Sequence, residues 1–493
     1  MPRLTKQYPG RDYGRKTCSG GQTPPHIGQY MLRTAILILS GNAATSALML
    51  ARNLVIARLI PVADYGVAAT FAMVMAVIEM GSTLGLQQQI VQSKRGDDPA
   101  FQAALQGFQL LRGVIAAAAL FVLAGPIADF LAIPEAASAY RWLALVPLLT
   151  AAQHFDIHRA QRRGHYRPML LTGALPALAA LIAIWPLSRL FDDWQVALWA
   201  ILLHAALGVL VSHLMAERRY RLRLDRAEMR ANLRFGAPLL ANAALMYLVF
   251  QGDKIIVGRL AGMEALAVFA MGMTLTLTPT LIGAKSVQNL FLPKLSAAHG
   301  RADALAHRQL AGATFEGMFL TGSTLLLGTV LIGPFVVTAL LGTKYASLLP
   351  LLIPFALMNA LRAIKNGPST VALSAGQTDN GFWGNLPRIA VLPLSCWALA
   401  QTGSVVPVIW LGVTGEAIGL GVALWRLSRV MALPQVGRAA LTTALVLVAI
   451  PLITLAAPGT LLIWPIALIL MAVQLAALSH LRAYFGHPQI GTA

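Results

Sequence analysis

The sequence predicts an all-α polytopic membrane protein with about fourteen transmembrane helices. Hydrophobic residues make up 57% of the 493 residues and charged residues only 12%, and the mean hydropathy is +0.67. Soluble domains usually carry about 25% charged residues. Apolar runs of about 20 residues, which is the length that crosses the hydrocarbon core, recur along the whole chain. Basic loops alternate with neutral or acidic loops between these runs, as the positive-inside rule requires.

The predicted spans follow one another through short loops. Lys and Arg are concentrated on one side, above all in the N-terminal tail, at 159–167 and at 218–234. Both termini are therefore predicted to lie in the cytoplasm, and the short loops argue against an extramembrane enzyme domain. The predicted spans are 34–57, 66–90, 103–127, 138–158, 169–189, 194–215, 235–258, 265–289, 311–340, 347–375, 386–404, 410–428, 439–457 and 461–480.

Composition and motifs exclude several functional classes. The net charge of +19 could indicate nucleic acid binding, but in so apolar a chain it instead orients the helices and contacts anionic lipid headgroups. Cys18 and Cys396 predict neither a disulfide framework nor a metal site. The polar, basic N-terminus is interpreted as a cytoplasmic tail and not as a signal peptide. The sequence contains no Walker-type loop and no persuasive nucleophile–His–acid arrangement, so we expect no cofactor, no ATP site and no catalytic site.

An internal repeat divides the chain into two halves. The order Asn-Ala-Ala, an apolar segment ending in Arg-Leu, and then Phe-Ala-Met occurs twice. Both copies enter the membrane from the same predicted side, six helices apart, which indicates two lobes related by an axis along the membrane normal. Chance similarity between two apolar helices is the alternative explanation. The matching segments are 42–44, 54–59 and 71–73 in the first copy and 242–244, 255–260 and 269–271 in the second.

The repeat predicts five segments with different roles. Two six-helix lobes are joined by a basic cytoplasmic linker and followed by a pair of additional helices. The segments are a basic cytoplasmic tail at 1–33, the N-terminal lobe at 34–216, the linker at 217–234, the C-terminal lobe at 235–430, and the last two helices with a short cytoplasmic tail at 431–493.

Ionisable residues inside the predicted spans are the clearest functional candidates. A charge near the bilayer centre costs about 2.5–3.5 kcal/mol even on the insertion scale, so it normally faces protein or a water-filled cavity. The cations outnumber the acids, which predicts a cavity for an anionic substrate. The candidates for substrate binding are Arg52, Lys254, Lys285, Arg362 and Lys365, and those for ion coupling are Glu79, Asp253 and Glu316.

Arg362 and Lys365 are the strongest of the basic candidates. They lie three residues apart near the middle of one predicted span, so they share a helix face and cannot reach either interface. Arg52 and Lys254 could instead extend to the outer headgroups, and Lys285 could reach the cytoplasmic interface.

The acidic candidates have structural alternatives as well. Asp253 could form a structural ion pair with Arg52 or Lys254. Glu79 could be a protonated, hydrogen-bonded interior residue or a proton-coupling site, and its position does not separate these two roles.

A basic loop after the fourth predicted span could gather an anionic substrate at the cytoplasmic entrance. Arg159, Arg162 and Arg163 carry guanidinium groups that suit phosphate oxygens. Ordinary positive-inside topology is the alternative explanation for them. His154 and His158 flank the loop without a Cys or carboxylate pattern that would indicate a metal.

Several segments resemble bacterial polysaccharide-unit flippases. The similarity is carried by the order and spacing of 59–66, 85–92, 235–240, 253–258 and 292–296. These segments resemble the oligosaccharide flippase branch of the multidrug/oligosaccharidyl-lipid/polysaccharide (MOP) exporter superfamily. The resemblance covers about residues 34–430, and the last two helices match a fourteen-helix version of the fold.

The resemblance implies a V-shaped, two-lobed transporter that works by alternating access. The implied substrate is an oligosaccharide unit on undecaprenyl diphosphate, moved from the inner to the outer leaflet of the bacterial cytoplasmic membrane for capsule, exopolysaccharide or lipopolysaccharide synthesis. Members of the family commonly line the cavity with Arg and Lys, which the positions of Arg52, Lys254, Arg362 and Lys365 match. The implied partners are this lipid, the membrane lipids and a polysaccharide polymerase or export machinery, and a monomer would suffice.

Three alternative functions stay open at this point. A lipid II flippase would share the fold and differ in its cargo. A multidrug exporter of the same superfamily would be expected to have a more acidic cavity. A membrane glycan polymerase or ligase would be an enzyme and would usually carry a long periplasmic loop.

Overall fold

The computed structural model describes residues 25–82, 85–456 and 463–486, and all regular structure within these ranges is helical. The predicted all-α fold is confirmed. Most of the predicted basic tail lies outside the described residues, but residues 25–33 form the beginning of the first helix. The first half contains α1 (Pro25–Leu59), α2 (Val62–Ser82), α3 (Leu86–Gln92), α4 (Pro99–Phe130), a 3-10 turn (Pro134–Ala136), α5 (Ala137–Leu143), α6 (Leu145–Ala151), α7 (Asp156–Arg162), α8 (Arg167–Leu190) and α9 (Gln195–Leu214).

The second half continues the chain from α10 to α18. The helix α10 is interrupted at Gly262, where φ is 83° and ψ is 178°, so it contains two successive spans. The elements are α10 (Arg226–Gly300), α11 (Ala304–Val336), a π-helical turn (Val337–Leu341), a 3-10 segment (Thr343–Leu351), α12 (Leu352–Ser374), α13 (Asn380–Ala390), α14 (Leu392–Thr402), α15 (Val406–Ser428), α16 (Gly437–Ala456), α17 (Ile463–Ala477) and α18 (Ser479–Gly486).

The fourteen predicted spans all coincide with helices, but several helices are broken or merged. In the described part of the chain, nine helices are long and apolar enough to cross a membrane, or ten when the bent pair α17–α18 is counted as one span. One of the nine, 243–300, covers most of the predicted span 235–258 and all of 265–289. The other predicted spans are α1 and the broken pairs α5–α6 and α13–α14, whose members are only 7 and 11 residues long.

Aspartates cap three long helices at the face predicted to be cytoplasmic. The Asp98 side chain accepts from the amide of Ala100, two residues into α4, and Pro99 occupies the first helical position. Asp225 caps α10 and Asp303 caps α11 in the same way. Each carboxylate satisfies amides that have no partner within the helix and lies at the positive end of the helix dipole. The few acids of the basic face thus fix where helices begin.

The largest apolar core spans both halves at the end predicted to be outer. The largest buried cluster combines residues such as Phe71 and Tyr140 of the first half with Phe269 and Phe355 of the second. Among the described residues, a smaller cluster around Phe101 at the predicted cytoplasmic end packs against the start of α10, and two further clusters lie within the second half. The halves are therefore joined by one large core at the outer end and by a smaller apolar contact with the start of α10 at the inner end.

Close backbone contacts strengthen this outer junction. A Cβ atom at Gly66 of α2 would lie 1.9 Å from the carbonyl oxygen of Met263 in α10, so only glycine allows this approach. Lys344 donates to the carbonyl oxygens of Arg58, at 3.0 Å, and Ile60, at 2.5 Å. The outer junction is therefore built from apolar burial and backbone contacts between the halves.

Candidate functional site

Five charged residues of the second half form one buried network at membrane depth, which we call the Glu416 cluster. Glu416 is fully buried on α15, while Arg362, Lys365 and Arg388 expose 4%, 6% and 1% of their surfaces. The fifth member, Asp253 of α10, is also buried. A buried ionic group is tolerated only where partners replace its hydration shell.

Glu416 holds the two predicted cations directly. Its Oε1 accepts from Nε of Arg362 at 2.7 Å, and its Oε2 accepts from Nζ of Lys365 at 2.6 Å. Nε of Arg388 lies 3.8 Å from Oε1, and the Arg388 guanidinium pairs with Asp253. One carboxylate is thus shared by several cations.

Neutral groups complete the surroundings of these cations. Nη1 of Arg362 donates to Oδ1 of Asn359 at 3.2 Å, and its guanidinium lies 5.2 Å from the centre of the Phe250 ring. Nζ of Lys365 donates to Oδ1 of Asn385 at 2.7 Å. Nη1 of Arg388 is buried without a hydrogen-bond partner, so the network retains a donor that a ligand or water could use.

Glycines on α15 make room for the long side chains. A Cβ atom at Gly419 would lie 2.2 Å from the carbonyl oxygen of Gly384, and one at Gly412 would lie 2.6 Å from Sδ of Met358. Gly415 faces the backbone of Arg388 in the same way, at 3.1 Å. Because these glycines let α13 and α15 approach closely, Arg388 and Glu416 can meet between helices.

The Glu416 cluster is net cationic. Arg362, Lys365 and Arg388 face only two carboxylates, Glu416 and Asp253. Lys254, next to Asp253, is half-buried and lies close enough to Arg362 for the two positive charges to repel each other. An anion entering this region would therefore meet excess positive charge in a medium of low dielectric constant.

The predicted cavity residues are only partly brought together. Arg362, Lys365 and Asp253 belong to the cluster, and Asp253 pairs with Arg388 and not with Arg52 or Lys254. Arg52 lies in the first half, on α1, where its Nη2 donates to Asn53 at 3.3 Å and its Nε is buried without a partner.

The remaining predicted candidates lie elsewhere. Lys285 is exposed on α10. Glu316 is fully buried on α11 and accepts from Nδ1 of His480 at 2.9 Å and from the amide of Leu481 at 2.8 Å, so it anchors α18. Glu79 lines a polar cavity of the first half together with Arg112. The described residues include no group of three or more His, Cys, Asp or Glu able to hold a metal ion.

Arg159, the first of the three predicted entrance arginines, is buried in an ion network that we call the Asp156 network. Its Nε donates to Oδ1 of Asp156 at 2.5 Å and its Nη2 to Glu217 at 2.7 Å. The backbone amides of Glu217 and Arg218 also donate to Asp156. Burial opposes ionisation of Asp156, but these hydrogen bonds outweigh it and lower its pKa to about 2.

The other two entrance arginines also have partners within the chain. Nη1 of Arg162 donates to the carbonyl oxygens of Val91 at 2.9 Å and Ser93 at 2.6 Å. Nε of Arg163 donates to Asp97 at 3.0 Å. These contacts join the loop between α3 and α4 to α7, and the proposed role of these arginines at the entrance stays a prediction.

Three buried or half-buried charged residues were not predicted from the sequence. Glu416, Arg388 and Arg112 each lie inside a predicted span, so the criterion that selected Arg362 also applies to them. A second feature of the sequence also points to Glu416. It stands among Gly412, Gly415 and Gly419, whose spacing places small residues along one helix face.

Comparisons with known proteins agree with this architecture. A model of the family described as polysaccharide biosynthesis protein matches residues 55–350. The teichuronic acid biosynthesis protein TuaB of Bacillus subtilis (strain 168) is 23% identical over 336 residues, which cover 67% of this chain and 68% of TuaB. The lipopolysaccharide biosynthesis protein WzxC of Escherichia coli (strain K12) is 22% identical over 336 residues, which cover 66% of each chain.

Solved structures show the same fold at low sequence identity. The inward-facing conformation of a multidrug resistance MATE family transporter of the MOP superfamily has a TM-score of 0.66 and 14% identity, covering 78% of this chain and 95% of the transporter. The lipid II flippase MurJ in its inward closed conformation has a TM-score of 0.66 and 12% identity, covering 92% of this chain and all of MurJ. The chain is therefore a multi-pass membrane protein with the fold of the MOP superfamily, and it belongs to the polysaccharide biosynthesis protein family.

Proposed function

We propose that this protein is a flippase that moves undecaprenyl-diphosphate-linked oligosaccharide units from the inner to the outer leaflet of the bacterial cytoplasmic membrane. The observation that carries the proposal is the net-cationic Glu416 cluster, buried at membrane depth in a member of a polysaccharide biosynthesis family. Cationic lining suits an anionic diphosphate and disfavours organic cations, which argues against multidrug export. No chemical conversion is required, so the protein acts as a transporter and not as an enzyme.

In this proposal, the diphosphate replaces Glu416 as the partner of Arg362 and Lys365. Without substrate, Glu416 keeps Arg362 and Lys365 from being unpaired charges in an apolar span. A diphosphate offers more acceptor oxygens than one carboxylate, and the planar guanidinium of Arg362 can bind two of them at once. Arg362 and Lys365 would then turn from Glu416 to the phosphates.

This exchange supplies a coupling site in addition to the predicted Glu79, Asp253 and Glu316. A carboxylate that stays buried after losing its cationic partners favours its protonated form. Glu416 would therefore take up a proton when the diphosphate binds and release it when the diphosphate leaves.

The membrane potential gives the cycle a direction. Moving one elementary charge across 100 mV is worth about 2.3 kcal/mol. An anionic head group moving outward runs with an inside-negative potential, and the empty cationic site returning inward does so as well. ATP is not needed in this cycle.

The arrangement of the cores supports alternating access from the cytoplasm. One large core joins the halves at the predicted outer end, whereas at the inner end a much smaller cluster connects the first half to the start of α10. Substrate would enter from the cytoplasmic leaflet, with both termini in the cytoplasm, and leave toward a periplasmic polymerase or export machinery after the outer junction opens. A monomer is sufficient for this cycle.

The direct test is a flipping assay in vesicles with a clamped potential. The purified protein is reconstituted with undecaprenyl diphosphate carrying the glycan that accumulates in cells lacking this protein. We expect flipping that accelerates with an inside-negative potential and is lost in Arg362→Ala. Rates that respond to neither voltage nor ion gradients, or no flipping by the wild type, would refute the proposal.

A further inference from the structure

A polar cavity of about 280 Å³ lies entirely within the first half, apart from the Glu416 cluster. It is formed by the inner end of α2, by α3, by the middle of α4 and by the end of α6. Its volume lies just below the range of ligand pockets, which is about 300–1,000 Å³, so it fits part of a large ligand. Its polar lining includes Glu79, Gln87, Gln88, Gln109, Arg112 and Gln153.

We propose that this cavity binds a sugar residue of the lipid-linked oligosaccharide through hydroxyl hydrogen bonds. The inference rests on the proposed flippase function and adds to it a site for the glycan. Four glutamine amides can each donate and accept, a carboxylate can only accept, and a guanidinium can only donate. This mixture matches the hydroxyl groups of a sugar ring, each of which is both a donor and an acceptor.

The lining has hydrogen-bonding capacity that the protein itself does not use. Nη1 of Arg112 is buried without a hydrogen-bond partner. Glu79 and Arg112 line the same cavity but form no ion pair within 4.0 Å, and the side chains of the four glutamines form no hydrogen bond with residues in the described ranges. A buried donor without a partner is costly, so a ligand or water must satisfy Arg112, and the glutamine amides are available to the same ligand.

Other ligand classes fit this cavity less well. A diphosphate needs several cations, and Arg112 is the one basic residue in its lining. A metal ion or coupling cation prefers several carboxylate or carbonyl oxygens, whereas Glu79 is the one carboxylate. The abundance of amides therefore favours a neutral, hydroxylated ligand.

Close helix packing fixes the cavity wall. A Cβ atom at Gly113 would lie 2.2 Å from Cβ of Ala151 and 2.8 Å from the carbonyl oxygen of Pro147. This contact between α4 and α6 brings Arg112 and Gln109 to the same wall as Gln153. The hydrogen-bonding groups are thus held by the scaffold, which lowers the entropy lost when a ligand binds.

The test compares binding of two lipids to the purified full-length protein by native mass spectrometry. One is undecaprenyl diphosphate, and the other is the same lipid carrying the glycan that accumulates in cells lacking this protein. We expect the wild type to bind the glycan-bearing lipid at least tenfold more tightly. Gln109→Leu and Gln153→Leu should each reduce this preference severalfold while leaving the affinity for undecaprenyl diphosphate unchanged. Gln309→Leu, an exposed position on α11, is the matched control and should retain the preference.

Glu79 gives an independent arm of the test. Glu79→Gln removes the charge but retains an acceptor and so should keep most of the preference, whereas Glu79→Leu should lose it. If undecaprenyl diphosphate binds but the glycan adds no affinity, or if the preference survives both glutamine variants, the sugar site is refuted and the flippase function stands. If neither lipid binds the wild type, both proposals fail.

Discussion

The Glu416 cluster and the Asp156 network use the same chemistry with opposite charge balance. In each, a buried carboxylate binds an arginine through short hydrogen bonds. In the Asp156 network, Arg159 faces two acids, Asp156 and Glu217, and backbone amides supply further donors. In the Glu416 cluster, three cations face two carboxylates.

The difference indicates which network is structural and which can bind a ligand. The Asp156 network is locally satisfied, because Arg159 is paired with Asp156 and with the exposed Glu217 beside the loops of the cytoplasmic face. The Glu416 cluster has excess positive charge at membrane depth, where isolated charges are costly. An anionic substrate would neutralise the positive charge that the side chains of this cluster leave unbalanced. Charge balance, and not the presence of arginine, therefore separates the two sites.

Removing Glu416 should have the largest effect. Glu416→Ala leaves Arg362 and Lys365 as buried cations without their main partner, and breaking a buried pair in this way typically costs about 3–5 kcal/mol. We expect a strongly reduced yield of folded protein and a lower thermal unfolding temperature in detergent. Adding Lys365→Met should restore part of the loss. A single variant as stable as the wild type would show that Glu416 does not organise the cluster.

Arg362→Ala should reduce flipping at least tenfold with a smaller loss of stability, because Lys365 continues to hold Glu416. Arg362→Lys should be milder, unless two-point phosphate contact is required. Initial rates in vesicles, normalised to folded protein, measure the effect. Arg301→Ala, which removes an exposed arginine at the end of α10, is the control and should flip normally. Equal rates for Arg362→Ala and Arg301→Ala would make the cluster structural.

Much of the fold was predictable because the membrane imposes it. Backbone polar groups must be satisfied internally in lipid, so apolar runs of sufficient length become helices. The breaks within spans were not predicted. The split of 138–158 into α5, α6 and α7 and of 386–404 into α13 and α14 depends on local backbone geometry, which hydropathy does not record, whereas the break at Gly262 falls in the predicted loop between two spans.

The site was predictable only in part, for a related reason. Arg362 and Lys365 stood out as charges in a span, but their partner depends on which helices are neighbours. For Asp253, a pair with Arg52 or Lys254 was the structural alternative to ion coupling, whereas the fold brings it to Arg388. Sequence position gives approximate membrane depth, and only tertiary packing determines which charges meet.

Gly419→Ala should disturb the Glu416 cluster without changing any charge. The new Cβ atom would collide with the backbone of Gly384, and overpacking of this kind typically costs about 1–3 kcal/mol. Separation of α13 from α15 should also slow flipping. Gly421→Ala on the same helix is the matched control, because a Cβ atom there meets nothing within 4 Å. Similar stability and rates for the two variants would show that close contact at Gly419 is unnecessary.

The smallest effect concerns the pH dependence of the Asp156 network. Because the pKa of Asp156 is lowered to about 2 in the folded protein, its ionised form stabilises the fold above its ordinary value of about 3.9. This contribution is lost as the pH falls from about 4 to 2. Asp156→Asn should therefore destabilise by about 2 kcal/mol at pH 7, because the carboxylate charge that pairs with Arg159 is lost. Thermal unfolding of the wild type and of Asp156→Asn between pH 7 and pH 3 measures the difference in their unfolding temperatures, which should narrow below pH 4. If the difference in unfolding temperature stays constant with pH, the loss of stability comes from altered packing. If the difference narrows below pH 4, the carboxylate charge is what stabilises the fold.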